Sequence, residues 1–85
     1  MTTTQKQLDR ELTVAAMIRS RIAKYDSDFH YLLASSKNPT DKFAQQAHEA
    51  KMNKLREQAN LSAVNLQITM LQAKLEDEQK NKKTN

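Results

Sequence analysis

Apolar residues return every three or four positions from Leu8 to Leu32, and that spacing predicts an amphipathic helix. Leu8, Ala15, Ile22 and Phe29 occupy one position of a seven-residue repeat; Ile18, Tyr25 and Leu32 occupy its partner. Glu11 interrupts the second series, where Leu12 lies beside it and widens the stripe, while Val14, Met17 and Leu33 add apolar surface off the seam. The expected first helix covers residues 5–34, with 1–4 frayed.

A second helix is expected over residues 39–80, and its apolar positions form two lines. Phe43, Ala50, Val64 and Leu71, with Ala47, Leu61, Ile68 and Leu75 beside them, make a seam that Lys54 and Glu57 interrupt at its midpoint. Met52, Leu55, Ala59, Leu66 and Ala73 run on another face. Two apolar faces call for two neighbours, because one helix cannot cover both. A single wide stripe is the simpler alternative.

Between the helices, Ser35-Ser36-Lys37-Asn38-Pro39-Thr40-Asp41 holds the only proline of a chain without glycine. Asn38 suits an N-cap, Pro39 the first helical position, and Asp41 the positive end of the helix dipole. The turn is therefore expected at residues 35–38, with a polar C-terminal tail at 81–85. Folding there gives an all-α, two-helix antiparallel hairpin, coiled-coil-like, in one domain over residues 1–85. In the register this implies, paired residue numbers sum to about 75, and Leu71, Ala73 and Leu75 overhang the end of the first helix.

Composition sharpens this picture. With 85 residues, 38% of them apolar, two helices bury too little to stand easily alone, so oligomerisation or a partner helix is expected to complete the core. The partner-facing residues are then Met52, Leu55, Ala59, Leu66, Leu71 and Leu75. Cysteine is absent, and no apolar run reaches the roughly 18 residues of a membrane span. The amino terminus also lacks a signal-like apolar segment, which makes a cytoplasmic location the expectation.

A formal charge of +4 permits an acidic partner without requiring one. The expected register gathers Arg19, Arg21, Lys24, Lys51, Lys54 and Arg56 into a mid-hairpin band that could meet nucleic-acid phosphates. Against that stands the ordinary role of such residues, whose stems cover the seam while their heads stay solvated. Asp26, His30 and His48 fall near the turn end, but no metal-binding motif backs them, so no metal or other cofactor is expected. Catalysis is not expected either, since no phosphate loop exists and no nucleophile is flanked by a base.

Two resemblances are worth stating. Ala16-Met17-Ile18-Arg19-Ser20 resembles part of the first helix of small plasmid-copy-number RNA-binding hairpins, although the turn and second helix depart from that pattern. The layout of short helix, Asn-Pro turn and longer helix is similar to helical-hairpin chaperones and needle subunits of type III secretion. The charged tail departs from needle subunits, and neither resemblance assigns the chain to a family.

The reading that follows is a non-enzymatic protein–protein interaction module, a small adaptor, chaperone or accessory subunit. Its occupant would be a protein partner or a further copy of the chain. One alternative is a dimeric four-helix bundle that binds RNA or DNA through the basic band. Another is a small protein inhibitor of a host or phage enzyme.

Overall fold

The computed structural model describes residues 2–83, which form two helices, α1 (Thr3–Ser35) and α2 (Lys42–Lys83). They lie side by side as an antiparallel hairpin, 68 Å long and 16 by 14 Å across. The fold class is the expected one, and the boundaries differ for local reasons. Thr2 caps α1 by accepting from the Gln5 N–H at 3.1 Å, so the helix starts before the expected residue 5. At the far end α2 continues to Lys83, beyond the expected residue 80; of the expected tail, residues 84 and 85 lie outside the described residues, as does Met1.

The turn is built differently from the sequence expectation. Asp41, not Asn38, is the N-cap of α2, its Oδ1 accepting from the Ala44 N–H at 2.8 Å. The same carboxylate accepts from the Lys37 N–H at 2.8 Å, the Asn38 N–H at 3.3 Å and the Ser36 hydroxyl at 3.0 Å. Pro39 sits in a β-turn that the Asp41 N–H closes onto the Asn38 carbonyl at 3.3 Å, which uses its fixed φ in a turn instead of a first helical residue. The Asn38 side chain accepts from the Thr40 N–H at 3.1 Å and braces that turn. Ser36, extended at φ −73° and ψ 135°, ends α1 while its N–H still reaches the Leu32 and Leu33 carbonyls.

Moving the cap to Asp41 changes the register. Arg21 meets Glu57, Asp26 meets Lys54 and Thr4 meets Glu78, pairs whose numbers sum to 78, 80 and 82. The expected overhang therefore does not exist: α1 reaches Glu78, where the buried Thr4 hydroxyl donates to the carboxylate at 2.7 Å. Leu71 and Leu75 pack with Leu61 and Val64 against a core of Leu8, Ala15 and Ile68. Phe43 is 38% exposed because, in this register, it lies past the last residue of α1.

The seam alternates large against small. Near the turn, the buried Ala47 and Ala50 come level with Leu32 and Phe29, and the small side chains let the helices approach. No large side chain of the described residues is fully buried, so the core is thin along its whole length.

Ile18 and Ile68 are buried, so Ile18→Ala or Ile68→Ala should each cost about 2–4 kcal/mol. Leu66→Ala, on the exposed side, should stay within about 0.5 kcal/mol apart from any association. Urea unfolding followed by circular dichroism checks both; equal losses would mean the buried face is wrongly assigned.

The four donors around Asp41, the Ala44 and Lys37 N–H groups foremost, hold its carboxyl down to about 2 from the ordinary 3.8. Folding thus lowers this pKa, so its contribution is complete above about pH 4 and is lost as pH falls toward 2. Asp41→Ala should lower the melting temperature at pH 7 and flatten the acid limb of a melting-temperature profile between pH 4 and 2. An unaltered limb would show that another carboxylate governs acid unfolding.

Candidate functional site

α2 carries apolar residues on the side turned away from α1. Met52, Leu55, Leu66 and Met70 are exposed there, Leu66 the most at 61%. Ala59, Ala63 and Ala73, also exposed, fill the gaps between them. Successive members are three or four residues apart from Met52 to Ala73, about 32 Å of one helix. Met52, Leu55, Ala59 and Leu66 are thus on the open face, whereas Leu71 and Leu75 belong to the seam within the hairpin. Met70, which is not among the residues of the expected second series, joins the open face. Its spacing of four from Leu66 was the available signal.

From Gln58 to Ala73 no residue is charged, in a chain where 28% are. Solvated helix faces ordinarily carry charges paired three or four residues apart. Within this block the Ser62 and Thr69 hydroxyls donate to their own helix, to the Gln58 and Asn65 carbonyls at 3.2 and 3.0 Å. Their polarity is turned back on the backbone, which leaves carbon facing outward.

The six basic residues are divided by the fold. Lys54 occupies a seam position, 29% exposed, and donates to the Asp26 carboxylate at 2.7 Å. That hydrogen bond, more than any other influence, holds the Asp26 carboxyl below its ordinary 3.8; desolvation opposes it, and the charges of Lys54 and His30 assist. Arg21 stands 3.5 Å from Glu57, whose buried Oε2 has no hydrogen-bond partner. The distance makes this a charge contact without hydrogen-bond geometry. Arg19, Lys24, Lys51 and Arg56 remain exposed. By heptad position Lys24 and Arg56 flank one side of the seam and Arg19 and Lys51 the other, so no single band forms.

His30 Nδ1–H donates to the Asp26 backbone carbonyl at 2.8 Å, within its own helix. Among the described residues no group of three His, Cys, Asp or Glu could hold a metal ion. An open groove lined by Gln7, Arg10, Glu11, Gln67 and Leu71 is mostly polar and sets no nucleophile beside a base. No described helix is long and apolar enough to cross a membrane.

No family model, no curated protein and no solved structure matches the chain.

Lys54 and Glu57 take two consecutive seam positions from apolar residues, so Lys54→Leu with Glu57→Leu should raise the thermal midpoint. The same change should weaken the hairpin's fixed alignment, seen as broader amide resonances in a two-dimensional NMR spectrum. A lowered midpoint would mean that the ion pairs stabilise more than apolar side chains would.

Proposed function

We propose that the chain is a non-enzymatic protein–protein interaction module that binds through the outer apolar stripe of α2. The carrying observation is that Met52, Leu55, Leu66 and Met70 are all exposed on the side of α2 turned away from α1, Leu66 and Met70 within a charge-free stretch. An apolar stripe on one helix suits another amphipathic helix, laid along it at three- and four-residue intervals. A small adaptor, chaperone or accessory subunit would use such a face. The hairpin itself supplies rigidity: α1 fixes α2 as a straight rod, so little ordering entropy is lost on binding.

The nucleic-acid alternative has less footing, because Lys54 and Arg21 are engaged by Asp26 and Glu57.

The test is retention of proteins from an extract of the source cells on the immobilised full chain. Leu55→Asp with Leu66→Asp should abolish retention, while Arg19→Ala with Arg56→Ala should preserve it; circular dichroism verifies that each variant keeps its helices. Retention that ignores the stripe would refute this function, and retention that follows the arginines would favour an electrostatic partner.

A further inference from the structure

Resting on the reading above, we infer that the occupant of the α2 stripe is a second copy of this chain, running antiparallel to the first. Three observations support this.

The stripe is complementary to itself when reversed. About a centre between Ser62 and Ala63, Met52 comes opposite Ala73, Ala59 opposite Leu66, and Leu55 opposite Met70. Reversal sets large residues against small ones in two of these layers, so the helices interdigitate. A parallel pair would instead set Leu66 on Leu66 and Ala59 on Ala59, which alternates crowding with gaps.

The charges at its two ends fit the same arrangement. The stripe from Met52 to Ala73 is bounded by Glu49 and Lys51 on one side and by Lys74, Glu76 and Asp77 on the other, all exposed. In an antiparallel pair each flank of one helix faces the same flank of the other. On one flank Lys51 then comes beside Glu76 of the second copy, an attraction; on the other Glu49 comes between Lys74 and Asp77, where attraction and repulsion offset each other. The Ser62–Ala63 centre carries no charge to desolvate, and its hydroxyl is already bonded within the helix.

The exposed area of this 68 Å rod leaves room for such an interface. A compact monomer of 9.8 kDa exposes about 5,200 Å². This hairpin exposes 6559 Å², an excess of about 1,400 Å². Stable interfaces bury about 800 Å² on each partner, so one copy along the stripe would remove much of that excess. The product is a row of four helices, in which the two α2 helices form the centre and each α1 the outside.

The experiment uses the full chain. Sedimentation equilibrium should give a dimer for the wild type and a monomer of unchanged helicity for Leu66→Asp or Met70→Asp. Because the chain has no cysteine, single cysteines read the orientation with a short bismaleimide cross-linker. Ser62→Cys should link to itself. Met52→Cys should not, its mate lying about 32 Å away along the axis, yet it should link to Ala73→Cys when the two are mixed. Self-linking of Met52→Cys would overturn the antiparallel arrangement. A wild-type monomer at the highest soluble concentration would overturn the second copy as occupant. If stripe-dependent retention of another protein persisted in that case, the interaction module itself would stand.

Discussion

Each contact between α1 and α2 inherits its register from the turn, and the turn is held by one carboxylate. Asp41 collects donors from Ser36, Lys37, Asn38 and Ala44, which lie before and after it in the chain. The first three end α1 and shape the loop, and the fourth starts α2. A single side chain thus fixes both the exit and the entry of the backbone. Had the cap formed at Asn38, α2 would begin three residues earlier and its side chains would meet α1 at different heights. The same seam residues would then pair at different heights, and the Asp26–Lys54 and Arg21–Glu57 contacts would be lost.

Those contacts matter because the seam itself is weak. Glu11, Lys54 and Glu57 take positions where a strongly associating pair of helices would carry Leu or Ile. Buried charge rarely adds net stability over an apolar side chain, but it penalises alignments that leave it unpaired. Lys54 finds Asp26 in the observed register, and Glu57 comes near Arg21, whereas a slipped hairpin would leave both facing apolar groups. Core strength has been exchanged for a defined alignment. The thin core that results is consistent with a chain whose stability depends partly on what covers α2.

Much of the fold is legible in the sequence. The two heptad lines, Leu8 to Phe29 and Ala47 to Leu75, identify the helices and the faces they bury, since a 3.5-residue period admits few other readings. The register was not legible. Asn38 and Asp41 are both good caps by residue type, and Pro39 directly after Asn38 makes the former look better. What decides between them is the number of donors each can gather, a property of the folded loop and not of either residue. Leu71 and Leu75 changed sides for this reason alone: a register sum near 80 brings them under Leu8 and Thr4, where a sum near 75 leaves them bare. The open face, by contrast, survived the change, because Met52, Leu55, Ala59 and Leu66 point away from α1 in either register.

That insensitivity bears on what α2 is for. A residue selected only to support the hairpin need be apolar on one side of α2, and the opposite side is free to carry charge for solubility. Over Gln58 to Ala73 it carries none, although the flanking segments are dense in Lys, Arg, Glu and Asp. Helix propensity does not explain this, because Glu, Lys and Arg are among the best helix formers and would serve that stretch at least as well as Asn60, Asn65 or Thr69. Solubility does not explain it either. What does fit an uncharged side, with Leu66 and Met70 exposed on it and hydroxyls turned inward, is cover by another surface. Under the proposed reading α2 would be the central element of an assembly, with α1 the support that holds it in register.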